Sequence, residues 1–296
     1  MNDPVKVACV QAEPVILDRA ATIDKLAQLA AEAADGGAKL ALFPEAFIPV
    51  YPSSRWARHL THWDGNAKEV FGRLAQQSLR IPGPDVDRIA EIAQEHSLWL
   101  AVGANELDGG TIYNVLLLFS PAGELVLHHR KLVPTNHERL VWGPGDGNGL
   151  EAVETTLGKV GGLICWENLM PLARFALYES GVEIYLAPTA DDSEEWHVSM
   201  QHIARESRAY LLSCCVFQRA SSFPPEVQLA EGAELVGRGG SAILAPDGSY
   251  LAGPLWDEEG ILFAELDPAR LYEERQRFDP AGHYHRPDVF EFGVRY

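Results

Sequence analysis

The sequence is short of cations: Lys and Arg number 24 against 42 Asp and Glu, a formal charge of −18 over 296 residues. Phosphate recognition rests on clustered Lys and Arg, so no nucleic-acid partner is expected. Docking on an anionic membrane surface is disfavoured for the same reason. No apolar run approaches the ~18–20 residues of a spanning helix, so no membrane partner is expected either. The opening MNDPVKVACVQAEP lacks a basic segment followed by an apolar one, and a secretory leader is not expected. Asn-x-Ser/Thr sequons are absent. Cysteine is scarce: Cys9, Cys165, Cys214 and Cys215 make no disulfide framework in a chain this long. Free thiols in a reducing cytoplasm are the expected state. There is also no internal repeat, no low-complexity segment and no convincing linker, so residues 1–296 read as one domain.

What is present is ordinary globular material, 47% apolar and 22% charged. Residues 5–11 (VKVACVQ) read as a buried strand. Residues 17–34 carry Ile23, Leu26, Ala27, Ala30, Ala33 and Ala34 on one helical face, stopped by Gly36-Gly37. Strand 39–43, helix 84–95 and strand 98–104 continue the alternation, and 113–119 with 125–129 form a hairpin, so the sheet is mixed. The second half reads as strand 160–165, a helix from Pro171, strand 183–187, a helix from Glu194 and strand 211–217. Strands 241–245 and 261–265 are expected on either side of a Pro246-Asp247-Gly248 turn, after a long loop at 221–237. The class is α/β, sheets covered by helices.

Three stretches break the polar and apolar logic of their surroundings. In ALFPEAFIPVYP, Glu45 follows a buried strand among apolar and aromatic residues, where desolvation raises a carboxyl pKa and strengthens a base. Its bland alternative is a strand-end glutamate in water. In HHRKLVPTNHERLVWGPGDG, Lys131 directly follows a strand and Glu138 lies seven residues on. A solvated basic run is the ordinary explanation there, and the glycines lack the Lys-Ser/Thr ending of a phosphate loop. In KVGGLICWENLMPLAR, Cys165 ends a strand just before a helix, where free backbone N–H groups suit a thiolate and an oxyanion. Most free cysteines are buried and structural, which is the expectation for Cys9, Cys214 and Cys215.

Together, a Glu, a Lys and a Cys at three strand ends supply a base, a cationic stabiliser and a nucleophile. With FPEAF around Glu45, HRKLVPT around Lys131, ERLVWGPGDG from Glu138 and ICWENLMPLAR around Cys165, the chain resembles the nitrilase branch of the carbon–nitrogen hydrolases. ARESRAY, GRGGSAILAPDG and GHYHRPDVF extend the resemblance over most of the chain. One departure is Asn136-His137 after Thr135, where many relatives carry a histidine directly after the threonine.

The resemblance implies a four-layer αββα sandwich of two mixed sheets. It implies hydrolysis of a small-molecule nitrile to a carboxylic acid and ammonia, through a thioimidate and a thioester on Cys165. Glu45 is then the base, Lys131 the charge stabiliser, Glu138 an accessory carboxylate and the Trp166 N–H an oxyanion donor. No cofactor and no metal are implied; His128-His129 and His283-x-His285 lack completing ligands and read as surface or packed histidines. Tyr51, Trp56, Trp63 and Trp196 are candidates for a substrate pocket, or equally for core or subunit contacts. A homo-oligomer, a dimer or larger, is expected from the resemblance. As the chain ends six residues after GHYHRPDVF, its assembly is expected to use the body of the domain. Alternatives are an amidase or carbamoylase with the same residues, a cyanide-hydrolysing enzyme, or a non-catalytic binding module.

Overall fold

A computed structural model describes residues 1, 3–63, 65–227, 229 and 234–296. The chain runs β1 (Val5–Gln11), α1 (Arg19–Asp35), β2 (Leu40–Leu42), α2 (Ser54–Ala57), α3 (Ala67–Gln77), α4 (Pro84–Glu95), β3 (Trp99–Asp108), β4 (Thr111–Phe119) and β5 (Leu125–Arg130). Next come β6 (Val153–Thr155), β7 (Gly158–Gly162), α5 (Pro171–Glu179), β8 (Ile184–Thr189), α6 (Glu194–Ser207) and β9 (Tyr210–Cys215). It finishes with β10 (Phe217–Arg219), β11 (Leu235–Leu244), β12 (Tyr250–Trp256), β13 (Gly260–Leu266) and α7 (Pro268–Arg277). Among the described residues no helix is long and apolar enough to cross a membrane.

Two mixed sheets result, ordered β13-β1-β2-β3-β4-β5 and β10-β11-β9-β8-β7-β6, with β12 added to β11. The two-residue period of a strand sends alternate side chains to opposite faces. On β1, Val7 and Cys9 face the second sheet, joining Leu186, Leu212 and Ile243 in one core. Ala8 and Val10 face the other way, against Leu26 of α1 and Ile89 and Ile92 of α4. On the second sheet Tyr185, Leu211 and Leu244 pack outward on α5 and α6. Helix, sheet, sheet and helix therefore stack in four layers, as the resemblance implied.

Several elements depart from the expected boundaries. Helix α1 begins two residues late because Leu17 has a left-handed φ of 57° and Asp18 caps the helix, accepting from the Ala21 N–H. Helix α3 has no counterpart in the sequence pattern, since Ala67, Val70 and Leu74 make a thin apolar stripe in an otherwise polar segment. The Pro246-Asp247-Gly248 turn joins β11 to β12, not to the strand at 261–265. That strand, β13, belongs to the other sheet and pairs with β1. Gly253-Pro254 lies within β12, which among the described residues pairs only with β11, through an irregular register, where proline is tolerated. The loop expected at 221–237 is shortened by β11, which starts at Leu235; residues 228 and 230–233 lie outside the described residues.

Candidate active site

Glu45, Lys131 and Cys165 each follow a strand that points to the same end of the sandwich: β2, β5 and β7. The turn holding Glu45 lies directly on β3. A Cβ on Gly103 would sit 2.2 Å from the Pro44 carbonyl oxygen and 2.8 Å from the Glu45 Cα, so only glycine admits this crossing. Backbone bonds from Ile48 N–H to Gly103 O (3.3 Å) and from Asn105 N–H to Ile48 O (2.7 Å) fasten the turn. Lys131 is held on both sides of its peptide unit, donating to Asn114 O and accepting from Gly145 N–H, each at 2.8 Å. Cys165 has a left-handed φ of 52° where the strand turns into a short 3-10 helix, Cys165–Leu169. That strained turn is supported by Asn168, whose Nδ2 donates to Cys165 O (2.8 Å) and Leu163 O (2.9 Å).

The side chains form one buried cluster. Lys131 Nζ donates to Glu45 Oε1 and to Glu138 Oε2, both at 2.7 Å. Asn114 Nδ2 also donates to Glu45 Oε1 (2.7 Å), while Glu45 Oε2 is buried without a partner among the described residues. Glu138 is fixed further by Tyr51 OH at 2.7 Å and by the Thr135 N–H at 2.6 Å. Cys165 Sγ accepts from Thr189 Oγ1 at 3.3 Å, and Sγ and one oxygen of each carboxylate lie within 4.8 Å of one another. Two glutamates and a cysteine also make a metal-type donor set, but the ammonium of Lys131 already supplies the cation between the carboxylates.

Burial dominates the electrostatics. It pushes the Glu45 carboxyl up to about 7, with the Lys131 charge working against it and the Glu138 charge with it. Burial and then the neighbouring Glu45 push the Cys165 thiol well above its ordinary range, so it is protonated at neutral pH. Lys131 is raised instead: burial opposes its charge, but the Glu45 and Glu138 carboxylates hold the proton on. A carboxylate poised near neutrality beside a protonated thiol is a base with a proton to take.

A cavity of about 290 Å³ opens on Cys165, with Tyr51, Thr135, His137, Trp166 and Ala190 among its walls. Trp166, 49% exposed, stands at its mouth with its indole N–H on Asp191 Oδ2 (2.8 Å). Its own backbone N–H lies in the first turn of the 3-10 helix, where such groups have no partner within the helix. Trp196 corrects the sequence reading: it is buried in the core between α6 and the sheet, its Nε1 bonded to Ser213 Oγ (2.9 Å). Its place on the apolar stripe of α6 decided this. Trp56 is also core, and Trp63 is 93% exposed. Cys9, Cys214 and Cys215 are buried in strands.

One pair escaped the sequence reading altogether. Glu167 is buried and accepts from the N–H groups of Ile164 (2.7 Å) and Leu132, while its oxygens lie 3.1 Å from His129 Nε2. It thereby ties the segment before Cys165 to the segment after Lys131. Burial works against both charges, yet each holds the other: Glu167 is lowered from 4.5 and His129 is raised from 6.5. Glu167→Gln is therefore expected to cost about 3–5 kcal/mol in urea unfolding. The carboxylate's share is present above pH 4.5 and lost on acidification; the imidazolium's is present below 6.5 and lost as pH rises through its raised value. The deficit should peak between those limits, and one that is flat with pH would show the pair to be uncharged.

The carbon–nitrogen hydrolase family model matches residues 6–276. Nitrilase 1 of Arabidopsis thaliana is 42% identical over 98% of this chain and 86% of its own length. An aliphatic nitrilase of Sinorhizobium fredii is 42% identical over 98% of this chain and 95% of its own. The crystal structure of Saccharomyces cerevisiae Nit3, a member of branch 10 of the nitrilase superfamily, superposes with a TM-score of 0.76. At 22% identity over 96% of this chain and 97% of that one, it is a match of fold. With the Glu, Lys and Cys strand ends gathered into one buried cluster, the chain belongs to the carbon–nitrogen hydrolase family, in its nitrilase branch.

Proposed function

We propose that this chain hydrolyses an organic nitrile to the carboxylic acid and ammonia, with Cys165 as nucleophile. The observation that carries the reading is the buried cluster itself: a protonated thiol within reach of a carboxylate raised to about 7, with a fixed ammonium between two carboxylates. Ionised Glu45 takes the thiol proton as Sγ adds to the nitrile carbon, and the proton passes to the nitrile nitrogen, giving a thioimidate. Water, deprotonated by Glu45, adds to that carbon while the proton is returned to nitrogen; Glu45 then carries the proton of the new hydroxyl to nitrogen as well, and ammonia leaves as the C=O forms, giving a thioester. A second water releases the acid and restores the thiol. Lys131 Nζ and the Trp166 N–H stabilise the charge that develops on nitrogen and then on oxygen. Glu138, held by Tyr51, keeps the Lys131 ammonium aimed.

If the tetrahedral intermediate expels sulfur instead of ammonia, the product is the amide, so the same site yields a second product by a change of leaving group. The relatives named nitrilases support the nitrile over the amide as substrate. Incubation with a nitrile and its matching amide is expected to give acid and ammonia in equal amounts from the nitrile, with the amide turned over more slowly. Rapid turnover of the amide with an inert nitrile would make the chain an amidase. The reading includes a single domain, since no linker divides the sequence, in the cytoplasm, where free thiols are the expected state, and working as a homo-oligomer, which the resemblance alone carries.

A further inference from the structure

A second cavity of about 270 Å³, with Ser53, Arg55 and Gln218 among its walls, shares Tyr51, His137, Ala190 and Asp192 with the cavity over Cys165. It is thus where the rest of a molecule bound at Cys165 would extend. Gln218, on β10, is 1% exposed, and among the described residues neither its Nε2 nor its Oε1 has a hydrogen-bond partner. Ser53 Oγ, on a residue 8% exposed, has none either. Buried polar atoms are nearly always paired, and a side-chain amide with both ends unpaired is a rare exception. Asp192 differs: its carboxylate already accepts the Arg238 N–H at 3.1 Å.

The charges on these walls do not select an ion. Arg55 and Asp192 are opposite in sign, and burial holds the His137 imidazole below its ordinary value, hence neutral. A carboxylate would leave Oε1 without a donor, an ammonium would leave Nε2 without an acceptor, and an alkyl or aryl tail would leave both unpaired. A primary carboxamide satisfies both atoms at once, donating to Oε1 and accepting from Nε2, with Ser53 Oγ free to bond its second lone pair or proton.

We infer that Gln218 determines substrate specificity by pairing with a carboxamide at the far end of the nitrile. The inference rests on the proposed nitrile hydrolysis at Cys165. It is tested with 3-cyanopropanamide against 4-methylpentanenitrile, which replaces the carboxamide by an isopropyl group of similar shape. The wild-type protein is expected to favour the former by roughly 10²-fold or more in kcat/KM, because a site with paired polar atoms rejects the analogue that leaves them empty. Gln218→Leu should bring the ratio close to one. Both values come from the same preparation, so a partly unfolded variant leaves their ratio unaffected. Gln218→Glu, which keeps the shape but loses the donor, should also lower it, and serves if the leucine variant does not fold. A wild-type ratio at or below one overturns the inference, as does a ratio that neither substitution moves. Formation of 3-cyanopropanoic acid also overturns it, since the carboxamide would then lie at Cys165. Failure to hydrolyse either compound or simple alkyl and aryl nitriles would instead overturn the proposed reaction.

Discussion

Cys165→Ala is expected to abolish nitrile hydrolysis, a loss of roughly 10⁶ in kcat on the scale of removing a nucleophile from a catalytic unit. The fold should survive. Alanine tolerates the left-handed φ of 52° about as well as cysteine does, and the substitution removes one side-chain hydrogen bond, the one donated by Thr189. Mass spectrometry should show the wild-type protein carrying one adduct after brief exposure to a small thiol-reactive electrophile. The Ala variant should carry none, because Cys9, Cys214 and Cys215 are buried in strands, whereas Cys165 opens on a cavity. A Cys165→Ala rate within about a thousandfold of wild type, from a preparation free of contaminating enzyme, would remove Cys165 from the reaction as its nucleophile. Labelling of the Ala variant would show that the strand cysteines are more accessible than their packing allows.

The three residues of this site most legible in the sequence share one property: each sits just after a strand stops. Glu45 follows Ala41–Leu42–Phe43, Lys131 follows β5, and Cys165 follows the apolar Leu163–Ile164 pair, so the local pattern already marks them as polar groups at a sheet edge. Tyr51 is legible as a pocket candidate, and its hydroxyl reaches the cluster through Glu138. Asn114 and Thr189 leave no such mark. Asn114 lies inside a strand, and its partner is 69 residues away; Thr189 meets Cys165 only because β8 lies beside β7. The Glu167 and His129 pair joins the 3-10 helix after β7 to β5, 38 residues away on the other sheet, so neither residue signals the other. Trp196 shows the converse error. Its position on the apolar face of α6, with Met200 and Ile203, pointed to the core, and periodicity outweighed the aromatic's appeal as a pocket wall. What a linear pattern could not supply was tertiary adjacency, and Gln218 is informative only once its burial and missing partners are known.

Glu45→Gln should move activity and stability in opposite directions. The variant keeps the side-chain shape but loses the base, and kcat is expected to fall by roughly 10²–10⁴-fold. In the wild-type protein the base is effective only when ionised, so activity should rise with pH along a limb centred on the Glu45 value of about 7. Stability runs the other way. The carboxyl binds its proton more tightly folded, at about 7, than unfolded, at 4.5, so between those values the folded state holds protons that the unfolded state has lost. Stability therefore falls as pH rises through that window, and by pH 8 ionised Glu45 costs on the order of 3 kcal/mol. Glutamine is neutral at every pH and its oxygen still accepts from Lys131. Thermal unfolding should accordingly find the variant at least as stable as wild type at pH 8, with the gap closing by pH 5, where Glu45 is largely protonated. A variant within tenfold of the wild-type rate would assign the base to another group, with His137, on the wall of the cavity over Cys165, the first to test. A variant destabilised equally at pH 5 and pH 8 would mean that the Glu45 charge stabilises the cluster, and the raised carboxyl would no longer account for the activity limb.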